Sequence, residues 1–225
     1  NEFYEGYGSD ICLKDTGMQE GRIIEIRYNF FGPTSIGPGG GSGVQGHNQD
    51  AKVDRILIHH NVFLNKGKGV MFRTPARMGT IVYNNTFINC STGRQSGDVT
   101  DWQNPEIHVL NNLYYHSGPK QNFYDIQTDP WERLESDWNL FYSTTADTSW
   151  RHKYRSRANT LSDWQKYSGK DAHSVWKDPE FVNPAGRRPE DFKRRNPAHI
   201  KDVEASKYGP VCGAYITEEE IVGVE

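Results

Sequence analysis

Three cations close successive copies of one short pattern in the first third of the chain. Lys14 ends Asp10-Ile11-Cys12-Leu13-Lys14, His47 ends Gly43-Val44-Gln45-Gly46-His47, and Arg73 ends Gly69-Val70-Met71-Phe72-Arg73. If each pattern is a strand, alternate side chains take opposite faces, and stacked strands place the three cations in a row about 10 Å long. Cations at that spacing lower one another's pKa, so a lysine or a neutral His47 can act as base. Arg73 can grip a carboxylate through two parallel hydrogen bonds. Those are the groups needed to take the proton beside a uronate carboxylate, stabilise the resulting enolate and release the glycosidic oxygen. Lys14, His47 and Arg73 are therefore the catalytic candidates. Gln45, Asn48, Arg77, Trp102 and Tyr154 are the candidate substrate contacts around them.

The same alternation extends to Asp98-Val99-Thr100-Asp101-Trp102 and Asp125-Ile126-Gln127-Thr128-Asp129. Ile11, Val44, Val70, Val99 and Ile126 are expected to face a core, with Leu13, Gly46 and Phe72. The remaining positions, from Asp10, Cys12 and Lys14 to Asp125, Gln127 and Asp129, form an outward grid. Among them Asp98, Asp101, Asp125 and Asp129 offer carboxylate pairs for a second chemistry, glycoside hydrolysis. His59 and His60 are consecutive, so on a strand they point to opposite faces and do not jointly bind a metal. The run from Gly37 to Gly43 lacks the Lys-Ser or Lys-Thr of a phosphate loop and reads as a flexible rim beside the row. The run Trp150 to Arg157 supplies cations and aromatics able to flank a sugar chain or to form a solvated loop.

Positioning such a grid requires a rigid scaffold, and composition restricts which kind. The chain has 225 residues, a net charge of −3, 22 Gly, 11 Pro and 12% aromatic residues. That length supports one large core or two small ones. The charge argues against a nucleic-acid binder, and no apolar run is long enough to span a membrane. Cys12, Cys90 and Cys212 fit neither a disulfide framework nor a zinc site. Many turn residues combined with many aromatics suit an all-β protein.

An internal repeat specifies the architecture. Ile24 to Phe31, Ile56 to Phe63, Thr80 to Phe87 and Ile107 to Tyr114 share alternating apolar residues, then Asn, one variable residue and an aromatic; Trp138 to Phe141 and Asn1 to Phe3 are partial copies. The asparagines Asn1, Asn29, Asn61, Asn85, Asn112 and Asn139 are 28, 32, 24, 27 and 27 residues apart. Each copy reads as strand, corner and short strand. Stacking the copies at about 4.8 Å creates an internal asparagine ladder beside a stack of Phe3, Phe31, Phe63, Phe87, Tyr114 and Phe141. The expected fold is an all-β, right-handed, single-stranded parallel β-helix over residues 1–142. Residues 143–225 form an irregular C-terminal cap and extended tail with one short helix, Thr160 to Tyr167, capped by Thr160 or Ser162 and ended by Gly169. Because an open coil edge invites pairing, an N-terminal β-helix portion or a separate chain is expected to cover the first coil.

On these repeats the chain resembles right-handed parallel β-helix proteins. Leu161-Ser162-Asp163-Trp164-Gln165, Asp171 to Val175, Asp178-Pro179-Glu180-Phe181, Asp191-Phe192, Asn196-Pro197-Ala198 and Gly213-Ala214-Tyr215 resemble the closing segment of bacterial β-helix proteins that act on polysaccharides. Among these, the chondroitinase B and alginate lyase family is the most similar in kind, and Lys14 and Arg73 would be the counterparts of its catalytic Lys and Arg. The resemblance implies a secreted or periplasmic lyase of an acidic polysaccharide, with calcium as a cofactor. A glycoside hydrolase on the same fold, or a non-catalytic glycan-binding adhesin or tail-fibre-like protein, remain alternatives, since one scaffold hosts many functions.

Overall fold

The computed structural model describes residues 1–3, 8–14, 23–33, 41–47, 55–72, 79–90, 92–94, 107–118, 121–126, 134–146, 148–152, 155–195, 201–203 and 206–215, with backbone alone for 14, 47, 72, 92–94, 121 and 155–157. Strands, numbered in chain order, wind through three stacked sheets so that every third strand returns to the same sheet. The first sheet holds β1 (Glu2–Phe3), β4 (Phe30–Phe31), β7 (Val62–Leu64), β10 (Thr86–Ile88), β13 (Leu113–His116), β16 (Leu140–Ser143) and β19 (Val175–Trp176). The second holds β2 (Ser9–Lys14), β5 (Ser42–His47), β8 (Lys68–Phe72), β11 (Thr92–Arg94), β14 (Gln121–Ile126) and β17 (Thr148–His152), with β18 (Arg155–Ala158) added antiparallel at its end. The third holds β3 (Ile23–Arg27), β6 (Arg55–His59), β9 (Gly79–Tyr83), β12 (Ile107–Leu110) and β15 (Leu134–Asp137). Apart from β17 with β18, the named strands pair in parallel. This is a parallel β-helix, and its parallel pairing runs past residue 142 to β17 and β19.

Alternation decides which residues enter the core. In the third sheet Ile26, Ile58, Val82 and Val109 lie at one level and are buried inside. In the first sheet the aromatics stack nearly parallel from coil to coil. Ring centroids are 5.0 Å apart for Phe3 and Phe31, 4.6 Å for Phe31 and Phe63, 4.9 Å for Phe63 and Phe87, 4.8 Å for Phe87 and Tyr114, and 5.1 Å for Tyr114 and Phe141. Each buried ring contributes about 1.5–3 kcal/mol.

Between the third and first sheets the chain turns at one residue in the left-handed region. Tyr28, His60, Asn84, Asn111 and Trp138 all have φ between 50° and 55°. The ladder asparagine follows directly. Asn29, Asn61, Asn85 and Asn112 each donate backbone N–H and side-chain Nδ2–H to the Oδ1 of the next asparagine at 2.9–3.3 Å. The last rung ends on a carboxylate. Asn139 Nδ2 donates to Asp171 at 3.0 Å and its backbone N–H to Ser174 Oγ at 2.8 Å. Ser136, Ser174 and Trp164 also donate to Asp171, which is fully buried. Burial pushes the Asp171 pKa up, and these hydrogen bonds oppose that.

Helix α1 (Leu161–Ser168) closes the last coil as the sequence indicated. Thr160 Oγ1 accepts from the Asp163 N–H at 3.1 Å, and Gly169, at φ 67°, ends the helix. Trp164 is buried against Trp150 and Tyr124. The tail covers the outer face of the first sheet, where Phe30, Val62, Leu64, Ile88 and Leu113 pack with Phe181, Phe192, Val203 and Ala214. A sheet buried on both faces explains why its strands read as continuous apolar runs. A buried Arg194–Asp202 pair, with both nitrogens of the fork engaged, pins the tail. Gly213, at φ 102°, lets the tail approach closely, since a Cβ there would meet Thr86 Oγ1 at 2.8 Å. Cys12, Cys90 and Cys212 are free thiols.

Asn112→Ala removes donors to Val82 O and Leu110 O and breaks the ladder on both sides. Each buried group left unsatisfied costs about 1–3 kcal/mol, so the expected loss is about 3 kcal/mol or more, read from the urea midpoint. A second expectation concerns His116, fully buried, stacked on Phe123 and hydrogen-bonded to the Cys90 carbonyl. Burial lowers its pKa from 6.5 to about 4. The neutral ring is the folded form, so its contribution is complete above pH 6.5 and is lost as pH falls towards 4. The full loss is about 3 kcal/mol. His116→Gln, which keeps a donor for that carbonyl, flattens this part of the stability–pH curve.

Candidate functional site on the outer face of the second sheet

Strand register brings Lys14 and His47 side by side on β2 and β5, as the repeat predicted. Arg73, which directly follows β8, lies outside the described residues, as do Asn48, Arg77, Trp102, Tyr154, Asp98, Asp101 and Asp129. Gln45 is described. It shares its level with Cys12 and Met71, is nearly buried, and accepts a hydrogen bond from Ser9.

Three features of the expected grid are corrected. The coil above Val70-Met71-Phe72 is Thr92-Gly93-Arg94, not Asp98 to Trp102. Above it, Tyr124 takes the level of Val70, so Asp125 moves two places to the level of Met71 and Gln45. The level of Asp10 also turns inward. A Cβ on Gly43 or Gly69 would come within 2.4 Å of the Phe63 or Phe87 ring. Asp10 itself is buried and forms a 2.6 Å ion pair with the fully buried Lys66. Burial raises the Asp10 pKa, and the Lys66 hydrogen bond and charge oppose that rise. The two glycines leave room for the Phe63 and Phe87 rings.

The shift of Asp125 creates a cluster that sequence reasoning missed. Lys68 lies at the level of Ser42 and Ser9, one residue before the segment singled out above. Its ammonium is ion-paired with Asp125 two coils away, across Gly93, which has no side chain to block the path. Arg151 Nε stands 3.9 Å from the other Asp125 oxygen. The Lys68 side chain is 19% exposed and that of Arg151 29%. Burial lowers the Lys68 pKa, the Asp125 charge and hydrogen bond raise it, and Arg151 lowers it. Asn122 and Ser149, hydrogen-bonded at 2.7 Å, continue the polar surface along β14 and β17. The signal in the sequence was the register alone: a lysine where the two lower coils have serine.

The arrangement can hold an anion with Arg151 and move a proton with Lys68. It does not fit calcium, because Lys68 already engages the Asp125 carboxylate.

His59 and His60 depart from the strand expectation because His60 occupies the left-handed corner. Their rings converge, Nδ1 to Nδ1 at 2.6 Å, and Glu25 holds His59 Nε2 at 2.7 Å. Burial lowers both pKa values, that of His60 to about 4. Among the described residues no three His, Cys, Asp or Glu side chains converge to hold a metal ion.

The fold and this surface define a class: a parallel β-solenoid with cations and amides on the outer face of one sheet. No family model, curated protein or solved structure matches the chain.

Asp125→Asn removes the group that raises the Lys68 pKa and leaves burial and Arg151 to lower it. The expected result is faster acylation of Lys68 by an amine-reactive ester at pH 8, read by peptide mass mapping. Stability falls by about 3 kcal/mol, as for a buried pair deprived of one partner.

Proposed function

We propose that the outer face of the second sheet binds an acidic, uronate-containing polysaccharide and cleaves it by β-elimination. The observation that carries this reading is the largely buried Lys68, its pKa lowered, beside Asp125 and Arg151 on the sheet that also bears Lys14 and His47. Arg151 suits the substrate carboxylate, whose negative charge grows as the enolate forms. The Lys68 amine, once deprotonated, takes the proton at the carbon next to that carboxylate. Electrons from the broken C–H bond form the new double bond as the C–O bond to the leaving sugar breaks, and the leaving oxygen takes its proton from water. Such chains are met outside the cytoplasm, so a secreted or periplasmic bacterial protein is part of the proposal.

The test offers the protein alginate, pectate, chondroitin, heparin and ulvan, with and without calcium, and follows the near-ultraviolet absorbance of the unsaturated product. The expected outcome is a rise with at least one chain, reduced about 10²-fold or more in Lys68→Ala and lowered in Arg151→Ala, Lys14→Ala and His47→Ala. Reducing ends without absorbance would replace the proposal with hydrolysis, and binding without either product would replace it with a glycan-binding role.

A further inference from the structure

The outer face of the third sheet carries a second concave surface with the opposite charge. Where β12 and β15 meet the segment 169–172 after α1, a cleft of about 560 Å³ opens, lined by His108, Glu135, Asp137, Trp138 and Lys170 among others. That volume lies within the range of about 300–1,000 Å³ common for small-ligand pockets.

Glu135 and Asp137 are two residues apart on β15 and so project from the same face. Each carboxylate holds a histidine in place. Glu135 pairs with Nδ1 of His108, its neighbour on β12. Asp137 accepts from Nδ1 of His173 at 2.7 Å, from the His173 backbone N–H at 2.7 Å and from the Trp138 backbone N–H at 2.8 Å. The Trp138 indole stacks on the His173 ring, with centroids 5.2 Å apart and planes 8° apart, so His173 holds the indole beside the carboxylates. The Glu135 side chain is about half exposed and that of His173 more so, at 49% and 62%.

Trp138, like Tyr28 and His60 in earlier coils, puts a bulky ring at a left-handed corner. It occupies the left-handed corner that Asn84 and Asn111 occupy in the two preceding coils, and asparagine tolerates that conformation far better than a bulky side chain does. A large aromatic held there against backbone preference is a feature that clusters at ligand sites.

We propose that this cleft is a second carbohydrate site, one that takes uncharged sugar residues. Carboxylates and imidazoles held in fixed orientations accept from and donate to hydroxyl groups, and the part of the indole that lines the cleft meets the apolar face of a pyranose ring. Two carboxylates against the single ammonium of Lys170 disfavour a uronate, so the two outer faces select different chains. The inference stands whether or not the second sheet cleaves an acidic chain.

The experiment titrates the full chain with cellohexaose, mannohexaose, xylohexaose and hexagalacturonate by isothermal calorimetry. At least one neutral hexaose is expected to bind with a Kd of about 10 μM to 1 mM. Glu135→Ala and Trp138→Asn weaken it about tenfold or more, while Lys68→Ala leaves it unchanged. Trp138→Asn restores the residue type of the neighbouring corners and is expected to fold, which circular dichroism checks; Glu135→Ala, at an exposed side chain, is an independent variant. The absence of binding by every neutral hexaose, affinity unaltered in both variants, or preferential binding of hexagalacturonate at this cleft would each overturn the proposal. Product formation at the second sheet is scored separately and bears only on the lyase proposal.

Discussion

Every coil in this protein is tied to the next by one buried hydrogen-bond chain with a direction. Asn29, Asn61, Asn85 and Asn112 each give a backbone and a side-chain N–H to the oxygen of the following asparagine, so this pair of donors points towards the C-terminal coils. The second amide proton of Asn61, Asn85, Asn112 and Asn139 reaches back to a carbonyl of the preceding coil. A chain of that polarity must end on a group that only accepts. Asp171 is that group, buried beneath α1 with Ser136, Ser174 and Trp164 also donating to it. In a low-dielectric interior such a chain is strong when complete and costly when interrupted. Ladder, terminal carboxylate and helical cap therefore form one cooperative unit, and the surfaces of the three sheets are rigid because of it.

The cross-section shows how one polypeptide manages three faces. The first sheet is buried on both sides, by the aromatic stack within and by the tail without. The second turns Lys68, Asp125 and Arg151 outward, while the third presents Glu25, Glu135 and Asp137, each bonded to a histidine. Two surfaces of unlike charge can share a solenoid because every strand contributes one face to the core and the other to the exterior. The interior is not wholly apolar, since it also holds the Lys66–Asp10 pair. Breaking such a pair is expensive, whereas keeping it adds little net stability.

Much of the architecture was legible in the residues themselves. The spacing of six asparagines and six aromatics is visible without coordinates, because stacked coils must repeat the residue that occupies each internal site. Helix α1 was legible for a local reason, since Thr160 and Gly169 satisfy its ends through short-range bonds. The candidate site was legible only in part. Lys14 and His47 follow from the repeat, but Lys68 and Asp125 do not, because they meet across two coils and stand at different levels of the register.

What the sequence determined by itself was the coil: alternation, corner, ladder and stack are properties of neighbouring residues and of a period. What the tertiary structure alone decided was which coil faces which. It placed Thr92 to Arg94 rather than Asp98 to Trp102 above β8, turned Asp10 inward, and folded His60 against His59 at a corner. Loops of different length between similar strands erase the register from the one-dimensional pattern. Only the packing of Phe63, Phe87 and Phe123 inside the coils, and of the tail outside them, restores it.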